Sequence, residues 1–227
     1  MNGIAKTFKK LERRLRKSVR GDLHSASGRR KARVQYHIFD HAFLRVFWSN
    51  FDKVADGVYR SNQPTFARFS RYKKMGIKSV LNLRGASVES PYQFERETCE
   101  KLGLNLVNAK IYARKAAGRD ELLHLIDCFR KIEKPFLMHC KSGADRAGFA
   151  SVLYLMVIEG KSLQEARKHL SARYVHFKWT KTGIVDHIFD MYEEYNAHTP
   201  IPIEDWIATV YSKSKANQSF AKLRGDA

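Results

Sequence analysis

The ten residues His139-Cys140-Lys141-Ser142-Gly143-Ala144-Asp145-Arg146-Ala147-Gly148 place a thiol and a guanidinium six positions apart, with a glycine between them. A thiolate is a nucleophile. A guanidinium offers a planar fork that grips two phosphate oxygens and stabilises charge on a phosphoryl group in transit, which a lysine cannot reproduce. Ahead of this pair, "PFLMHC" (135–140) predicts a buried strand, and behind it "AGFASVLYLMVIEG" predicts an apolar helix. In open α/β sheets ligands collect beyond the carboxyl ends of strands, and that is where a strand–loop–helix order delivers Cys140. Successive loop N–H groups and the positive end of the helix then form a cradle for an anion. Gly143 allows a turn that a side chain would obstruct, and the same cradle favours a thiolate. Cys99 and Cys128 fall on predicted helix faces without such surroundings and read as small packed hydrophobes.

The elements that must hold this loop alternate along the chain. "GVYRS" (57–61), "IKSVLNL" (77–83), "LNLVNAKI" (104–111) and "PFLMHC" (135–140) read as strands. Between them, 64–76 and 91–103 each start at a proline and stop at a glycine, and "DELLHLIDCFRKI" (120–132) has a helical period. Beyond Arg146 the chain reads as helical. The pattern predicts an α/β fold with a central, mostly parallel sheet flanked by helices. It also places residues 34–215 in one domain, between an N-terminal extension (1–33) and a polar C-terminal tail (216–227).

Composition sets the outer bounds. The 227 residues are 44% hydrophobic and carry a formal charge of +19. Residues 1–33 hold twelve Lys or Arg against Glu12 and Asp22, so +10 of that charge sits there. A field of this sign attracts phosphorylated substrates, acidic lipid surfaces or nucleic acid without choosing among them. No nucleic-acid recognition motif accompanies it. Ile4, Phe8, Leu11, Leu15 and Val19 recur at helical spacing among basic residues, which predicts a basic amphipathic helix able to touch an anionic membrane through residues 1–20, serve as a targeting segment, or lie solvated on the domain. "GDLHSASGRRKAR" (21–33) then reads as a linker. Three cysteines in neither a disulfide framework nor a CxxC pair fit a reducing, cytoplasmic setting, with peripheral membrane contact as the alternative. The most apolar stretch, 38–51, is interrupted by charges and is too short to span a bilayer.

"HCKSGADRAG" resembles the His-Cys-x5-Arg signature of the cysteine-dependent phosphatase superfamily. "GVYRSNQP" and "GIKSVLNLRG" upstream are similar to its compact dual-specificity-like branch, and the likeness covers roughly residues 54–195. It implies a phosphatase-type fold and a two-step mechanism without metal or cofactor. Cys140 would accept the phosphoryl group, and Arg146 would clamp it. The amides of Lys141, Ser142, Gly143, Ala144, Asp145 and Arg146 would form the cradle, with His139 in support. The implied substrate is a phosphoprotein, chiefly phosphotyrosine; a phosphorylated lipid or phosphoinositide at a membrane surface is the alternative, followed by soluble inositol phosphates. The chain departs from the pattern twice. Ala147 stands where a Ser or Thr usually helps the thiolate leave, and 105–116 contain no acid to protonate the leaving oxygen. Asp145 takes that role on this reading; some phosphoinositide-directed relatives are similar in having an Asp there. Asp120 is the second candidate, with helix capping as its competing job. Arg114 and Lys115 fall where substrate would approach, either touching it or simply solvated. A weakly active binding module is the reading from a different class, motivated by the same two departures.

Overall fold

The structure, a computed structural model, describes residues 25–34, 36 and 48–225. Its centre is a five-stranded sheet in the order β1-β2-β5-β3-β4, built from Asp52–Ala55 (β1), Val58–Asn62 (β2), Ser79–Asn82 (β3), Asn105–Asn108 (β4) and Phe136–Cys140 (β5). β1 pairs antiparallel with β2, and every other pairing is parallel. The predicted α/β class and its four strands hold, with shorter bounds for those at 77–83 and 104–111. β1 is an addition. It is an edge strand of four residues with only Val54 buried, too short for alternation to announce it.

Helices Phe66–Lys74 (α2) and Ser90–Leu102 (α3) cover one face of the sheet, packing Phe69, Tyr72 and Cys99 against Val80 and Leu137. The other face buries the larger core, formed with Arg119–Lys131 (α4), Asp145–Val157 (α5), Ile184–His198 (α7) and Ile203–Thr209 (α8). A four-residue helix, Leu163–Ala166 (α6), precedes α7. α5 has no polar face: Ala147 through Leu155 are all buried, as expected of a helix sandwiched between a sheet and a helical layer. Because side chains alternate along a strand, Met138 and Cys140 point to the α5 side while Leu137 and His139 point to the α2/α3 side.

Two parts of the predicted organisation need correction. The stretch read as a linker contains a helix, Ala26–Val34 (α1), which buries Gly28 and Ala32 and fastens Arg29 to Glu97 of α3 by a two-pronged ion pair. The stretch read as a polar tail belongs largely to the helix Lys213–Leu223 (α9). α9 buries Ala216, and its Ser219 meets the His187 ring of α7. Short polar and basic segments carry weak hydrophobic periodicity, so docking rather than local pattern makes these helices. The amphipathic helix expected within residues 1–20, and the membrane contact attached to it, lie outside the described residues. Among the described residues, no helix is long and apolar enough to cross a membrane.

Candidate active site

Cys140 ends β5, the middle strand, where it is 1% exposed and level with Asn62 of β2, while its neighbour His139 is level with Asn82 of β3. The chain then turns through residues 141–144 into the N-terminus of α5. Gly143 has φ +73°, a conformation that L side chains rarely adopt. A Cβ there would sit 2.6 Å from the Asn62 nitrogen. Both facts restrict the position to glycine.

What shapes the loop is how its carbonyls are held. Lys141 O accepts from Gln63 N (3.4 Å), Ser142 O from Asn50 Nδ2 (2.9 Å), and Gly143 O and Ala144 O from Arg60 Nη2 (2.5 and 3.2 Å). In a planar peptide the N–H points opposite to the carbonyl. Four consecutive carbonyls tethered outward therefore turn the N–H groups of Ser142, Gly143 and Asp145 inward, while the Ala144 N–H donates to Ser142 Oγ (3.4 Å). The result is a bowl of donors at the positive end of α5.

Arg60 is the centre of this scaffold and was not singled out by the sequence. Fully buried on β2, it also donates from Nη1 to His169 O (2.6 Å), and its guanidinium lies 3.8 Å from the Tyr174 ring centroid. Burial pulls its pKa down to about 10, well above neutrality, so it stays cationic at neutral pH. Asn50 ties the same loop to Tyr174 O (2.9 Å). The available signal was a charged residue inside an apolar strand, "VYRSN", which is costly unless its donors find partners; both terminal nitrogens do, while its buried Nε has none among the described residues.

A second buried set stands behind His139. Its Nε2 meets Glu95 Oε1 of α3 at 2.5 Å, and Glu95 Oε2 accepts from Gln63 Nε2 (3.1 Å). Gln63 in turn accepts from Arg84. His139 is thereby tied into a buried network behind the loop. Beside the loop, a cavity of about 250 Å³ is lined by Arg146, Arg84, Gln63, Tyr92 and Glu89 among others. The buried Nε of Arg146 has no hydrogen-bond partner among the described residues.

The remaining predicted site residues are dispersed. Asp145 Oδ1 is 2.8 Å from Nδ1 of the buried His176, whose Nε2 is 2.7 Å from Asp186 Oδ2. Asp145 is therefore a brace in this structure. Asp120 does not cap its helix: Gly118 is the N-cap, and Glu121 reaches back to the Gly118 N–H at 2.5 Å. Asp120 is exposed in the first turn of α4, with no hydrogen bond or ion pair among the described residues. Arg114 and Lys115 are exposed on the loop between β4 and α4, with Lys115 Nζ 4.0 Å from the Tyr112 ring centroid. Ala147 is fully buried. Cys99 is packed in the smaller core and Cys128 in the larger, and burial pushes the Cys99 thiol up to about 12.

Comparison with known proteins gives a consistent result. Residues 52–164 match the tyrosine phosphatase family. Over 110 residues the chain is 30% identical to the inositol diphosphatase DSP3 of Arabidopsis thaliana, covering 44% of this chain and about half the length of that relative, 50%. A mutant form of Tk-PTP superposes with a TM-score of 0.51 at 23% identity, over 65% of this chain and 96% of that one. The core catalytic domain of the PP-IP phosphatase SIW14 from S. cerevisiae gives 0.46 at 18% identity, over 78% and 93%.

Proposed function

Because this chain belongs, through residues 52–164, to the tyrosine phosphatase family, we propose that it hydrolyses phosphate monoesters by way of a cysteinyl-phosphate intermediate. The observation that carries the reading is the set of four outward-tethered carbonyls, which turns a bowl of N–H donors toward the end of β5 where Cys140 sits. A phosphate settles in the bowl with its oxygens on the amides and on Arg146. The Cys140 thiolate attacks phosphorus in line with the ester oxygen, the P–O bond breaks, and the leaving oxygen takes up a proton. Water then attacks the phosphocysteine, releasing inorganic phosphate and regenerating the thiolate. No step calls on a metal or cofactor.

Asp120 rather than Asp145 supplies the leaving-group proton on this reading. Asp145 is held by His176, whereas Asp120 is unengaged at the end of the segment that carries Arg114 and Lys115. Asp120→Asn should slow phosphotyrosine or an alkyl phosphate by about 10²-fold while leaving an activated aryl ester such as a nitrophenyl phosphate, whose leaving group departs as a stable anion, much less affected. Equal loss on both would remove Asp120 from the role.

The leading substrate class is phosphotyrosine in protein, with phosphoserine and phosphothreonine beside it. A compact inositol phosphate is the second reading, favoured by the likeness to an inositol diphosphatase and by Arg84 facing the same cavity as Arg146. A panel of phosphopeptides, inositol phosphates and phosphoinositide vesicles separates these classes by kcat/KM. Vanadate-sensitive release from an aryl phosphate that disappears in Cys140→Ser supports the chemistry; turnover that survives the substitution would refute it.

A further inference from the structure

We propose that His176 is a positioning residue for the phosphate loop: bridging Asp145 and Asp186 as an imidazolium, it fixes the first turn of α5 so that Arg146 and the turn's N–H groups stay aimed at the bound oxyanion. The proposal rests on the reading of the Cys140 loop as a phosphate cradle.

The argument starts from donor counting. Both ring nitrogens face carboxylate oxygens, Nδ1 at 2.8 Å from Asp145 and Nε2 at 2.7 Å from Asp186. A neutral imidazole has one N–H and one lone pair, so it would satisfy one carboxylate and repel the other. Only the doubly protonated ring satisfies both. The ring is 1% exposed, so its two nitrogens are committed to these carboxylates. Among the described residues, the titratable groups that face it are Asp145 from α5 and Asp186 from α7, and their pull outweighs burial to raise its pKa to about 9.

The backbone that inserts this ring is itself unusual. Val175, immediately before it, has φ +62° although it is β-branched and 55% exposed, so its own side chain gains little from that conformation. Strain of this kind persists where surrounding contacts over-determine it, and here the contact is His176 entering between α5 and α7. The bridge ends on the residue directly before Arg146. Arg60 and Asn50 hold the loop's carbonyl side, and His176 holds the point where the loop becomes helix.

Three measurements decide the matter: binding of tungstate, an inert oxyanion, by calorimetry; kcat/KM for an aryl phosphate from pH 6 to 10.5; and the His176 ring titration by ¹⁵N NMR. In the wild-type protein the ring should titrate near pH 9, and both oxyanion affinity and kcat/KM should fall with the same midpoint. Asp186→Asn, which removes one carboxylate, should move the ring midpoint and the activity limb down together. His176→Asn should weaken tungstate binding about tenfold at pH 7, and its deficit should close above pH 10, where the wild-type ring has also lost its proton. An activity limb that stays put while the ring midpoint moves overturns the proposal, as does a His176→Asn deficit that is constant with pH. If His176→Asn does not fold, the wild-type and Asp186→Asn titrations still decide. Wild-type protein that binds no tungstate would instead overturn the reading of the loop.

Discussion

At the residue scale, the loop depends most sharply on Gly143. A methyl group there would meet the Asn62 nitrogen at 2.6 Å and the Ser61 carbonyl carbon at 2.8 Å, and both are backbone atoms of β2 that cannot step aside. Gly143→Ala also forces a left-handed residue, so the loop must move outward and its carbonyl tethers stretch. We expect a stability loss of about 1–3 kcal/mol by urea melts and a larger proportional loss in kcat/KM; full activity would show that the bowl tolerates displacement. Cys140, Gly143 and Arg146 were legible in the sequence because they lie within seven residues of one another and their chemistry is local. Arg60, Glu95 and His176 were not. Arg60 reaches the loop across 83 residues, Glu95 reaches His139 across 44, and His176 reaches Asp145 across 31. No period or spacing links such partners; the parallel strand order brings Arg60 and His139 into place, and packing of the helical layer against α5 brings in His176.

At the element scale, β2 and α5 act as one support. β2 contributes Arg60, whose two terminal nitrogens gather the loop (Gly143 and Ala144) and the segment after α6 (His169) into one fixed arrangement. α5 is pressed so close to that segment that a Cβ at Gly148 would lie 2.6 Å from His169 O. Arg60→Met keeps much of the volume and removes every donor, leaving buried carbonyls without partners. The expected cost is about 3 kcal/mol or more, read as a lower urea midpoint, together with weaker oxyanion binding. A variant of wild-type stability would mean that water or another donor replaces the guanidinium. The major elements were legible for the reason this support works: buried parallel strands and the helices that cover them carry continuous apolar runs and clear stops. β1, α1 and α9 carry little apolar content of their own, and each is made by what it docks against, so the sequence showed an extension and a tail where the structure has helices.

At the scale of the whole molecule, two buried histidines bracket neutral pH with opposite signs. His176 has a folded pKa of about 9, above its ordinary value of 6.5, so it contributes stability in full below pH 6.5 and loses it as pH rises through 9. His169 is 3% exposed, and burial, with Arg60 beside it, lowers its pKa to about 4. Between pH 4 and 6.5 the unfolded chain binds a proton there that the folded protein refuses, so stability is present above 6.5 and declines as pH falls toward 4. Each shift corresponds to a stability change on the order of 3 kcal/mol across its window. Both residues belong to the same scaffold: the His169 ring stacks 5.9 Å from that of Tyr174 and its carbonyl accepts from Arg60, while the His176 ring braces Asp145. Urea melts across pH 4.5 to 9.5 should give a dome with its maximum near pH 6.5. His176→Asn should flatten the alkaline slope and leave the acid slope intact, whereas an unchanged alkaline slope would show that other groups govern it.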